Sequence, residues 1–134
     1  MSAFSPLKTC VFSSVKARLT VNGEPLRDAT VIRRWEWQEK REDRATTDAD
    51  GWFSFPPVFE SSLTRLLPVE LVIGQSLEVL VDGKPKSIWS FAKRKPEENA
   101  ELKGKPIVMR CELTQDSKAR RESGAILSTM CVLE

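Results

Sequence analysis

"ATTDADGWFSFPPV", Ala45 to Val58, decides how this chain folds. Ala45-Thr46-Thr47 can pair as a short strand. Asp48-Ala49-Asp50-Gly51 then reads as a corner: aspartates hydrogen-bond their own backbone, and glycine supplies positive φ at no steric cost. Trp52-Phe53-Ser54-Phe55 alternates, so Phe53 and Phe55 share one face of a strand. Pro56-Pro57 cannot donate ladder hydrogen bonds, so that strand stops there or lies at an edge. A calcium loop of EF-hand type is the competing reading of the corner. It would want a polar ligand two positions after Asp50 and a bidentate glutamate further on. Trp52 and the aromatic strand stand there instead, so the corner is expected to be architectural.

Working outward, the same β signals repeat. Val15, Ala17, Leu19 and Val21 alternate with Lys16, Arg18 and Thr20, and Asn22-Gly23 follows as a tight-turn signal. Ala29 to about Trp37 forms a second alternating run, with Val31, Arg33, Trp35 and Trp37 on one face. Gln38 to Arg44 is a charge run, expected to be a solvated hairpin or loop. Leu77, Val79 and Val81 alternate before a second turn signal at Asp82-Gly83, and the returning strand, Lys86 to Ala92, carries Ile88, Trp89 and Phe91. Lys93 to Lys105 is expected to be a polar loop. Ile107, Met109, Cys111 and Leu113 face inward on the last clear strand. The spacing of Phe59, Leu63, Leu66 and Leu67 predicts one short helix ended before Pro68. After Gln115 come a charged linker and an apolar tail, "AILSTMCVL", read as an added strand or a docked segment. The expectation is one domain over residues 1–134, with its core over about 8–114 and the linker and tail at 115–134. It is mainly all-β, an antiparallel sandwich.

The chain has 134 residues, enough to bury a core without disulfides or metal. Its net charge is only +2, with signs mixed along the chain, so nucleic acid is not an expected partner, and with no apolar run near the ~20 residues of a membrane span, neither is a membrane. The N-terminal stretch lacks a secretory signal's basic start, and Lys8 interrupts its apolar run. Cys10, Cys111 and Cys131 form neither a CxxC pair nor an evident framework. Three buried or half-buried thiols in a reducing cytoplasm are expected.

Histidine and tyrosine are absent altogether. That excludes Ser-His-Asp and Cys-His hydrolysis and a histidine general base. No catalytic residue, cofactor or metal is expected. The remaining carboxylate pair, Asp48 and Asp50, sits on an exposed turn where nothing would raise a pKa. Two features carry a binding expectation. Arg33, Trp35 and Trp37 alternate on one strand face, a composition suited to a protein partner if exposed. The alternative places the tryptophans in the core, with Arg33 snorkelling. Lys93-Arg94-Lys95, with Lys84, Lys86 and Lys103, is a basic cluster read as a solvated face.

"VNGEPLRDATV", Val21 to Val31, together with the Ala45–Val58 stretch, resembles the carboxypeptidase-regulatory-like, transthyretin-like domains. The remainder is similar to an uncharacterised bacterial family of small one-domain proteins. The resemblance implies a seven-stranded sandwich in which the acidic corner is a turn between strands. The 5-hydroxyisourate hydrolases of that fold depend on histidines and a tyrosine-containing motif that are missing here. Lys–Asn isopeptide crosslinking needs an asparagine that the last strand lacks. What the resemblance implies is a non-enzymatic protein-binding module, an immunity protein or adaptor beside a secreted toxin or a type VI secretion component. A self-assembling homo-oligomer, and a carbohydrate binder or enzyme using the tryptophans, are the alternatives.

Overall fold

The computed structural model of the chain describes residues 8–62, 67 and 69–134. Among these residues every regular element is a strand: β1 Lys8–Phe12, β2 Val15–Val21, β3 Glu24–Pro25, β4 Thr30–Glu36, β5 Lys40–Thr46, β6 Trp52–Phe55, β7 Val58–Ser61, β8 Ile73–Val81, β9 Lys84–Lys93, β10 Ile107–Glu112, β11 Lys118–Glu122, β12 Ala125–Thr129 and β13 Val132–Leu133. They make a six-stranded sheet in the order β11-β12-β9-β8-β4-β5. A five-stranded sheet runs β13-β10-β2-β3, with β6 also paired to β2, and β1 and β7 form a separate pair. The alternation seen in the sequence aims both inner faces at one core. Val15, Ala17 and Leu19 meet Phe53, Phe55, Ile107 and Met109 from one side, and Val31, Leu77, Val79, Trp89 and Leu127 from the other.

The turn signals hold. Asn22-Gly23 and Asp82-Gly83 both have two consecutive positive-φ residues, as tight hairpins require. At the acidic corner, the Asp48 carboxylate accepts from the amides of Asp50 (2.9 Å) and Trp52 (3.0 Å). Gly51 lies at φ 84°, and its carbonyl accepts from the Leu19 amide (2.8 Å). A Cβ placed on it would stand 2.4 Å from the Leu19 carbonyl oxygen. The corner is therefore fixed by close backbone approach to β2, and only glycine fits there.

Several expectations need correction or narrowing. Of the two readings of the charge run Gln38–Arg44, a solvated hairpin or a loop, the hairpin holds. From Lys40 the run is β5, paired with β4 at seven positions, Thr30↔Thr46 to Glu36↔Lys40. As an edge strand it can be charged without cost to the core, and its charges discourage pairing with another chain. The helix expected at Phe59–Leu67 begins in strand β7, which pairs with β1 from Lys8↔Ser61 to Phe12↔Val58. Residues 63–66, which would carry most of the rest of it, lie outside the described residues. The linker expected after Gln115 contains β11, half of a hairpin with β12. The polar loop after β9 holds Glu101, which is fully buried.

The cysteines differ most. Cys111 and Cys131 form a disulfide, and Cys10 is a buried free thiol. β13 runs antiparallel to β10 with Met109↔Leu133 and Arg110↔Val132 in register. Continuing that register by one step sets Cys131 opposite Cys111, with their Cα atoms 4.2 Å apart. This is the close spacing of a non-hydrogen-bonded antiparallel pair. Burial pushes the remaining thiol, Cys10, up from its ordinary pKa.

Candidate binding surface

The three residues singled out on β4 and its extension do share a face, and that face is the interior one. Arg33 is fully buried. Its Nε and Nη2 donate to the two carboxylate oxygens of Asp43 on β5 (2.9 and 2.7 Å), and Nη1 donates to the Pro56 carbonyl (2.7 Å). The guanidinium plane lies 4.6 Å from the Phe55 ring centre, 5.1 Å from that of Phe12 and 5.4 Å from that of Trp35, all within cation–π range. Trp35 is buried, and its indole N–H donates to Glu60 on β7 (2.9 Å). Trp37 is half-buried and packs against the core beyond the end of β4. An exposed Arg–Trp stripe is thus not what the strand presents. Arg33 ties β4, β5 and the β6–β7 connection together from inside.

A second buried polar network joins the chain's beginning to the loop after β9. Glu101 accepts from the Ser13 amide (3.0 Å), the Ser13 hydroxyl (2.6 Å) and the Gln75 side-chain amide (2.9 Å). Lys93 stands 3.5 Å from Glu101 and donates to the Cys10 carbonyl (2.7 Å). Gln75 also receives the Trp89 indole N–H (3.1 Å). Both charges of the pair are buried and hydrogen-bonded, as an interior ion pair must be to persist. The basic cluster read around Lys93 therefore dissolves: Lys93 is internal, and Arg94 pairs with Glu70. Among the described residues no group of three or more Cys, Asp or Glu side chains is arranged to hold a metal.

The outer face of the five-stranded sheet differs. There Lys16, Arg18 and Thr20 of β2 point outward beside Arg110 of β10. β2 and β10 run parallel, with Arg18 directly opposite Arg110. Trp52 of β6 is opposite Arg18 on the far side, and Val132 of β13 is opposite Arg110. One row, Trp52–Arg18–Arg110–Val132, crosses four strands, three strand spacings or about 14 Å. Trp52 is half-buried, Arg110 is exposed, and Val132 is 69% exposed. Lys16 lies 5.2 Å from the Trp52 ring centre. A depression of about 450 Å³ on the outer face of the other sheet is lined by charges that already pair across strands, among them Arg34 with Glu42 and Glu78.

The arginine row escaped the sequence because its members are 92 residues apart and meet only through parallel pairing of β2 and β10. Each residue alone reads as an ordinary outward position on an alternating strand. Glu101 was hidden differently, inside a stretch whose composition is that of a solvated loop.

No curated protein matches the chain. The model of the family described as "Domain of unknown function (DUF6795)" matches residues 15–116, from the start of β2 to just before β11. The match covers most of the chain and includes both arginines of the row and the interior Arg33 and Glu101. The chain belongs to the DUF6795 family.

Proposed function

We propose that this chain is a non-enzymatic protein-binding module on a transthyretin-like, carboxypeptidase-regulatory-like sandwich, acting in bacteria as an adaptor or immunity protein beside a secreted toxin or type VI secretion component. The observation that carries the reading is the contrast between interior and surface. The side chains with chemistry to offer, Arg33, Asp43, Lys93 and Glu101, are committed to partners inside the fold. The outer face of the five-stranded sheet instead sets tryptophan, arginine and an exposed valine in one row, the composition of an interface centre. The N-G-x-P-L turn, the strand that follows it and the D-x-D-G corner support the transthyretin-like assignment. Arg33, Trp35 and Trp37 serve the module by bracing β4 and β5 behind that face. The cytoplasm is the proposed compartment, although a disulfide such as Cys111–Cys131 is more common outside it.

Affinity capture from the source cells tests the reading. One stoichiometric protein should be recovered, and Trp52→Ala should lose it while the variant stays folded, with a cooperative thermal transition. Recovery of nothing but a second copy of the chain, confirmed by light scattering, would replace the adaptor with a homo-oligomer.

A further inference from the structure

Arg18 and Arg110 stand directly opposite each other on adjacent strands. Like charges in that position destabilise a sheet unless something answers them. Arg110 has an answer within the chain: its Nε lies 3.1 Å from a carboxylate oxygen of Glu134. Arg18 has none. Its Nε donates to the Asp50 carbonyl at 2.8 Å, which fixes the guanidinium, and no carboxylate pairs with it among the described residues. Lys16, on the same face, lies over the Trp52 ring, and no carboxylate pairs with it among the described residues. The nearby Glu112 cannot answer either. Its carboxylate accepts from the Thr20 and Thr114 hydroxyls and from the amides of Asn22, Gly23 and Thr114. Between Arg18, Arg110, Gln115 and Met130 the surface dips into a depression of about 280 Å³.

We propose that this face, resting on the module reading above, docks an acidic segment of a partner protein. Its carboxylates would meet Arg18 and Lys16, and its apolar side chains would lie against Trp52 and Val132. The chain's own Glu134 shows which group the row accepts. The apolar ends of the row, Trp52 and Val132, suit a protein segment that carries apolar side chains between its carboxylates, which a polyphosphate backbone does not. Cations fixed beforehand, as Arg18 is by Asp50, lose little freedom when a carboxylate arrives.

The test uses short labelled peptides that alternate valine with glutamate, glutamine or lysine, read by fluorescence anisotropy on the full chain. The glutamate peptide should bind, weaken as salt rises, and weaken about tenfold or more in Arg18→Glu/Lys16→Glu, because rim charges set salt-dependent association. Arg120→Glu/Arg121→Glu, on the β11 edge, should change nothing. If the reversed variant does not fold, Arg18→Gln/Lys16→Gln serves in its place. Four results would overturn the proposal: no binding of the glutamate peptide, equal binding of the glutamine peptide, undiminished binding by the variant, or tighter binding of a single-stranded oligonucleotide. If cell capture yields a partner whose binding survives the charge reversal, only the acidic-partner inference falls. If capture also yields nothing, the module reading falls with it.

Discussion

Arg33 carries the interior of this fold at the scale of a single residue. A fully buried guanidinium persists because Asp43, the Pro56 carbonyl and three ring faces replace the water it lost. Arg33→Ala should therefore lower stability by about 3–5 kcal/mol by urea titration, the usual cost of breaking a buried pair. Trp37→Ala, at a half-buried position, should cost clearly less. Glu112 makes the complementary case near the surface. The Thr114 hydroxyl, then the Gly23, Asn22 and Thr114 amides, pull its carboxyl from an ordinary 4.5 down to about 2. A lowered folded-state pKa means that the unfolded chain binds the proton first. Its contribution to stability is complete above about pH 4.5 and drains away as pH falls towards about 2. The urea midpoint of the wild-type protein should fall more steeply across that window than that of Glu112→Gln, and parallel curves would refute the assignment. Of these residues, the sequence made visible only what alternation reveals, that Arg33 and Trp35 share a face. Whether that face looks in or out depends on Asp43, which lies in a run whose composition argues for solvent.

Elements divide by the same logic. β2, β4, β6 and β8 were legible because each alternates and ends in turn chemistry that its own residues dictate. β1, β7, β11 and the part of β5 before Ala45 were not, because nothing local marks them. Each is a strand only by virtue of the edge it pairs with: β7 for β1, β4 for β5, β12 for β11. The C-terminal segment is the clearest example. β12 pairs beside β9 in the six-stranded sheet and β13 beside β10 in the other, so one segment spans both layers. The Thr129 hydroxyl and the Cys131 sulfur both turn to the Ile88 carbonyl, where β9 bulges. The disulfide closes a loop with a sequence separation of 20, for which chain entropy gives about 3 kcal/mol. Reduction, or Cys131→Ser, should lower stability by about that amount. It should also speed amide exchange in β12 and β13 before β4 and β8. The intact mass before and after reduction reports whether the bond is present as purified. An unchanged urea midpoint would mean that strand pairing alone holds the segment.

At the scale of the whole molecule, two sheets close over one core, and the two buried polar networks lock its ends. Ser13, Gln75, Lys93 and Glu101 join the β1–β2 connection to β8, β9 and the loop beyond. Arg33 does the same for the β4–β5 hairpin and the Pro56 corner. With those groups turned inward, the proposed recognition falls to the outer face where β6, β2, β10 and β13 lie side by side. Hydroxyl-radical footprinting of the chain, alone and with its captured partner, reads that face directly. Trp52 and Val132 should be oxidised in the free protein and protected in the complex, while Trp37 and Ile126 change little. Protection at Trp37 or Ile126, with Trp52 and Val132 as reactive as before, would contradict the assignment of the binding face.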